Sequence, residues 1–116
     1  PDKPASFCKV EGDEAALHFG GFVDGQLVCV ASIYVDGQTA RLRKFATLVE
    51  FQGLGIGSSV ITFIMEMLKN MEIKHFWCDA RKTAVGFYER FGMAKQGLAF
   101  NKSGVLYYKM AVQLVY

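Results

Sequence analysis

Gln52-Gly53-Leu54-Gly55-Ile56-Gly57-Ser58 runs through Ser59 into Val60-Ile61-Thr62-Phe63-Ile64-Met65-Glu66-Met67-Leu68, and the reading of this stretch decides the fold. Apolar residues at Ile56, Val60, Phe63/Ile64, Met67 and Met71 recur every three or four positions, which predicts an amphipathic helix to about Asn70 with the glycine-rich run as its first turn. Glycine inside a helix costs about 1 kcal/mol relative to alanine, so three glycines at a helix entrance need a reason. One reason is that the cleared side chains let unpaired backbone N–H groups, at the positive end of the helix dipole, close around an anion such as a diphosphate. The alternative is a tight, closely packed connection from strand to helix. The run is not the dinucleotide fingerprint, because Ser58 stands where the third glycine is required. It also lacks the Gly-Lys-Ser/Thr ending of a Walker loop.

Upstream, Ala16 to Val23, Leu27 to Val35 and Thr39 to Leu48 are apolar runs rich in β-branched and aromatic residues, joined by Asp24-Gly25 and Asp36-Gly37. Asp-Gly tolerates the positive φ of a tight hairpin, so these runs predict a three-stranded antiparallel meander. Residues 1–14 read as an arm or loop, with at most a short extended piece around Phe7 to Val10. Downstream, Ile73 to Asp79 is expected as a strand parallel to the third, since strand, helix and strand in one sheet form a right-handed crossover. A second helix is expected from about Lys82 to Phe91, with Ala84, Phe87/Tyr88 and Phe91 on one stripe and Gly92 as its stop. Ala94 to Phe100 and Val105 to Val115, separated by Asn101-Lys102-Ser103-Gly104, predict a last hairpin. The sum is one α+β domain: a mixed, mostly antiparallel sheet with a central β-α-β crossover and two main helices.

Composition narrows the functional classes. The chain has 116 residues, 52% of them hydrophobic, enough for a real core. A net charge of +2, from 13 basic and 11 acidic residues, is too mild for a nucleic-acid partner. Cys8, Cys29 and Cys78 are odd in number and unclustered, which predicts free thiols in a reducing compartment such as the cytoplasm rather than disulfides or a metal site. No run is apolar enough to span a membrane, and no basic-then-apolar signal opens the chain. It opens with Pro1 rather than methionine, which suggests processing or a longer parent chain.

Two motifs together resemble the GCN5-related N-acetyltransferase (GNAT) superfamily. Gln52-Gly53-Leu54-Gly55-Ile56-Gly57-Ser58 is similar to its Gln/Arg-x-x-Gly-x-Gly/Ala loop for the coenzyme A pyrophosphate. Ala80-Arg81-Lys82-Thr83-Ala84-Val85-Gly86-Phe87-Tyr88-Glu89-Arg90-Phe91-Gly92-Met93 is similar to its second helix, with Met93 in place of the usual phenylalanine. The resemblance covers about residues 15–111. The strand and two helices that usually precede the meander have no room here, so the N-terminal helices are expected to be shortened or absent. Arg81 occupies a position that is often asparagine and reaches toward the pantetheine arm.

The resemblance implies acetyl transfer from acetyl-CoA to a primary amine of a small molecule or peptide, with no covalent enzyme intermediate. Amides of Leu54 to Ser58, with Gln52 and Gly53, would hold the pyrophosphate, so that remote binding energy positions the acetyl group. Backbone N–H groups around Phe45, Ala46 and Thr47 would meet the thioester carbonyl and the charge developing on it. Tyr88, a phenol with a pKa of about 10, would hand a proton to the departing thiolate; without the motif it reads as a packing aromatic. No general base stands out: Asp79 at the end of a central strand reads more readily as a helix N-terminal cap or a solvated end, and Glu50 as a surface residue. His18 and His75 read as packed or edge histidines and form no metal site. Arg41, Arg43 and Lys44 line an acidic-substrate cleft, meet coenzyme phosphates or, as exposed strand charges usually are, are simply solvated, and Trp77 reads as core. The unidentified base and missing N-terminal wall keep open a non-catalytic acyl-CoA-binding module. The apolar residues of Val105 to Tyr116 exceed what one sheet face buries, which suggests a homodimer or an N-terminal extension packed there.

Overall fold

A computed structural model of the chain describes residues 5–12, as backbone, and residues 16–114. Expectations for residues 1–4, 13–15 and 115–116, and for the Cys8 side chain, lie outside the described residues. The strands are β1 (Ala5–Gly12), β2 (Ala16–Val23), β3 (Gln26–Asp36), β4 (Thr39–Thr47), β5 (His75–Arg81), β6 (Ala94–Lys95), β7 (Phe100–Lys102) and β8 (Val105–Gln113). A 3-10 turn at Val49–Phe51 and helix α1 (Ile56–Asn70) connect β4 to β5, and a second 3-10 turn at Lys82–Ala84 continues into α2 (Val85–Glu89). All strands join one sheet in the order β1-β2-β3-β4-β5-β8-β6, with β7 also paired to β8. Every pairing is antiparallel except that of β4 with β5, the parallel pair expected of the crossover.

The meander follows the sequence closely. Asp24 and Gly25 both take positive φ, 51° and 80°, as a two-residue hairpin turn requires. The second turn sits one residue later than expected: Asp36 pairs with Thr39, so Gly37 and Gln38 form the loop.

Other expectations are corrected. The arm is a strand: β1 pairs along β2 from Ala5↔Val23 to Gly12↔Leu17. Its local composition reads as loop, but the open edge of β2 offers a row of backbone partners, and pairing overrides propensity. β5 begins at His75 rather than Ile73, because the Ile73 amide bonds to the Leu68 carbonyl at 3.0 Å and closes the helix exit. The second helix is shorter than Lys82 to Phe91 and opens as a 3-10 turn. The strand expected over Ala94 to Phe100 is broken into β6 and β7, with Gly97 between them at φ 85°.

Along β5, Phe76, Cys78 and Ala80 are buried while Trp77 and Asp79 are half-buried and Arg81 is exposed, so the strand separates two faces. Both helices pack on the first face. Ile56, Val60, Ile61, Ile64 and Leu68 of α1 enter one cluster with Phe19, Ile33, Phe76 and Met110, and Tyr88 of α2 joins it. Trp77 therefore does not belong to this core, against expectation. It lies on the opposite face between the Arg41 guanidinium, 4.4 Å from the ring centroid, and the Lys109 ammonium at 4.6 Å. β8 is interior, flanked by β5 on one side and by β6 and β7 on the other. Much of its apolarity is used there: Met110 and Ala111 are buried, and Tyr107 stacks on Phe100.

Candidate active site

β4 and β5 pair only from Thr39↔His75 to Leu42↔Cys78. Beyond Leu42, β4 continues to Thr47 and β5 to Arg81 without pairing to each other. The cause is a bulge. Ser32 faces Lys44 while Ile33 faces Leu42, so Arg43 is an extra residue that bends β4 away. A cleft of about 690 Å³ opens where the strands part.

The main chain along this gap can be traced bond by bond. The Leu48 amide donates to the Val28 carbonyl at 2.8 Å, so the trans peptide turns the Thr47 carbonyl the other way, where Gln52 Nε2 donates to it at 3.0 Å. By the alternation of an antiparallel pair, the amides of Phe45 and Thr47 face the gap and that of Ala46 faces β3.

The glycines have two separate reasons. Gly53 and Gly55 have φ of 76° and 83°, a conformation that L side chains rarely adopt, and no atom within 4 Å would meet an added Cβ. Gly57 lies inside α1, where an added Cβ would come 3.1 Å from Phe45 Cζ. The first two glycines shape the loop, and the third lets the helix lie against β4. The Ser59 amide donates to the Gly55 carbonyl at 3.0 Å, which leaves the amides of Ile56, Gly57 and Ser58 ahead of the helical bonds. No side chain caps this end, and no acidic residue lies in its first turn. The end is therefore electropositive and open, suited to an anion.

Tyr88 is buried and lines the same cleft. Burial pushes its phenol above the ordinary tyrosine range, and the neighbouring Cys78 adds to this. Burial, with Asp79 nearby, likewise pushes the Cys78 thiol up to about 12, so it is a neutral, unreactive group at neutral pH. Phe87 stacks on Phe45 at 5.8 Å and meets the Tyr88 ring edge-on at 5.1 Å, tying α2 to β4 across the cleft. Asp79 also lines the cleft; its Oδ2 accepts from Arg41 at 2.8 Å. It lies within β5, so it is not a helix cap.

Of the residues singled out in the sequence, Phe45, Thr47, Gln52, Gly53, Gly55, Ile56, Gly57, Ser58, Arg81 and Tyr88 line the cleft, whereas Ala46 and Leu54 do not. Glu50 is exposed. His18 Nδ1 lies 2.8 Å from Ser32 Oγ, and His75 Nδ1 lies 3.1 Å from Gln113 Oε1. Among the described residues no cluster of His, Cys, Asp and Glu could hold a metal, and no helix is long and apolar enough to cross a membrane. Sequence reading missed the Phe45 and Phe87 stack and the Arg41 and Asp79 pair, contacts between residues far apart in the chain. The one available signal was the motif that puts Phe87 beside Tyr88.

The family described as an acetyltransferase (GNAT) domain matches residues 3–114. The chain belongs to the GNAT acetyltransferase family. Among curated proteins it is 29% identical to the uncharacterized N-acetyltransferase YitI of Bacillus subtilis, over 90% of this chain and 76% of that protein. The fold is similar to the ribosomal-protein-S18-alanine N-acetyltransferase of Escherichia coli, with a TM-score of 0.88 and 15% identity over 97% of this chain and 96% of that one. It is also similar to the PaiA N-acetyltransferase of Thermoplasma acidophilum, solved in complex with coenzyme A, with a TM-score of 0.74 and 16% identity over 85% of this chain and 61% of that one. In this GNAT chain no helix precedes the 3-10 turn at Val49–Phe51 among the described residues.

Proposed function

We propose that this protein is an N-acetyltransferase that moves acetyl from acetyl-CoA directly to a primary amine of a small molecule or peptide. One observation carries the reading: an uncapped helix N-terminus with free amides at Ile56, Gly57 and Ser58 opens beside unpaired strand amides at Phe45 and Thr47, in one cleft. Those helix amides suit a diphosphate, and Gln52, through the Thr47 carbonyl, fixes the loop against the strand. Acetyl-CoA supplies an activated thioester. The Phe45 and Thr47 amides are preorganised donors for a carbonyl oxygen on which charge develops. Tyr88, held neutral by its surroundings, keeps a proton available for a leaving thiolate. Buried, free Cys29 and Cys78 suit a reducing compartment such as the cytoplasm.

The test is acetyl-CoA-dependent release of free thiol with a panel of primary amines, alongside calorimetric titration with coenzyme A. The expected result is saturable coenzyme binding and amine-dependent thiol release. Binding without turnover on any amine would instead identify an acyl-CoA-binding module.

A further inference from the structure

The gap between β4 and β5 gives access to both faces of the sheet, and the two faces differ in charge. The open end of α1 lies on the helix-covered face. The opposite face carries Arg41, Arg43 and Lys44 from β4, Arg81 from β5 and Lys109 from β8, together with Asp79, the one carboxylate among the described residues that line the cleft; of the five cations, Arg43 and Arg81 line the cleft as well. Asp79 pairs with Arg41 at 2.8 Å and stands directly opposite Lys109 in the register of β5 with β8. Three of the cations are held by aromatic rings: Arg41 and Lys109 at 4.4 and 4.6 Å over Trp77, and Arg43 at 5.7 Å over Tyr34. Cations held in this way lose little further freedom when they meet an anion. Their attachment to Trp77 and Tyr34 also sets them on the face away from the phosphate loop, so a diphosphate bound at α1 leaves them unmatched.

We propose that the acceptor is a primary amine carrying a carboxylate close to its nitrogen, as an amino acid does, rather than a polyamine or a lysine-rich peptide. This rests on the acetyl-transfer reading and names its substrate class. Asp79 has one oxygen committed to Arg41 and takes the acceptor ammonium with the other, while Arg43 and Lys109 take the carboxylate. A polycation meets an excess of like charge on this face and is disfavoured. Asp79 is here a residue that orients the amine toward the gap.

The experiment reads binding rather than turnover. Wild-type protein is first saturated with coenzyme A in a calorimeter, then titrated with alanine, leucine and phenylalanine, each beside the amine left when its carboxylate is removed, and with spermidine. The expected result is at least about tenfold tighter binding of each amino acid than of its matched amine, a preference that weakens as salt is raised. The double variant Arg43→Glu, Lys109→Glu should lose the preference while still binding coenzyme A. Equal affinities within the pairs, no amino-acid binding at all, tighter spermidine binding, or a preference that survives charge reversal would each overturn the proposal while leaving acetyl transfer standing. Failure of the first titration would overturn both.

Discussion

The first stretch of β4 and β5 and the continuation of the same strands serve opposite ends. From Thr39 to Leu42 the parallel ladder is intact, and Ala40, Leu42, Phe76 and Cys78 are buried beneath α1 and α2. After one extra residue, Arg43, the ladder stops and the backbone amides of Phe45 and Thr47 face a cleft instead of a neighbour. Buried backbone N–H groups are normally paired, so a sheet that parts this way keeps donors in reserve for a ligand. On the proposed reading the same two strands provide both stability and recognition, and the boundary between them is a single residue.

If that division is right, substitutions in the two stretches should fail in different ways. The largest effect belongs to the paired stretch. Phe76→Ala removes a fully buried ring from the middle of the core and should lower unfolding free energy by about 3–5 kcal/mol, measured by urea denaturation. A loss below about 1 kcal/mol would mean that the intact ladder is not the structural anchor. On the cleft side, Tyr88→Phe should lower turnover about a hundredfold with coenzyme affinity nearly intact. Removing only a hydroxyl keeps the ring's contacts with Phe87, so the melting temperature should move little. The pH profile sharpens the point. Burial raises the Tyr88 pKa, so the acid form is present below that raised value and is lost only as pH climbs through it. Turnover by the wild type should therefore show no loss from phenol ionisation up to about pH 10, the ordinary tyrosine value. An alkaline fall centred near pH 8 and shared by Tyr88→Phe would assign that limb to another group.

The sequence is most informative where local chemistry decides structure. Asp24-Gly25 takes positive φ at both residues, and Ile56, Val60 and Ile64 of the expected apolar stripe lie on the buried face of α1, which runs on through Leu68 rather than through the half-buried Met67 and the exposed Met71. Gly53 and Gly55 stand out in the sequence as well, but they precede α1 rather than form its first turn, and the reason for them is a left-handed backbone conformation. Partnership across the chain was not legible. β1 is a strand because β2 has an edge to offer, and Trp77 is off the core because the alternation of β5 assigns it to the other face. The parting of β4 from β5 depends on Arg43 being unmatched in β3, a register detail with no local signature. Gly57 shows the limit within one motif: it sits in the same glycine run, yet its reason is the Phe45 ring beside it.

The most direct test of the central claim is a calorimetric titration of coenzyme A into wild type and Gly55→Val. A β-branched residue cannot readily hold the left-handed conformation at φ 83° that begins α1, so the loop must rearrange and its amides turn away. A Cβ at this position meets no atom within 4 Å, so the core should remain folded. The expected result is at least a tenfold loss of affinity, about 1.4 kcal/mol, in a protein with an otherwise intact sheet by circular dichroism. Unchanged affinity would contradict the claim that this helix end grips the diphosphate.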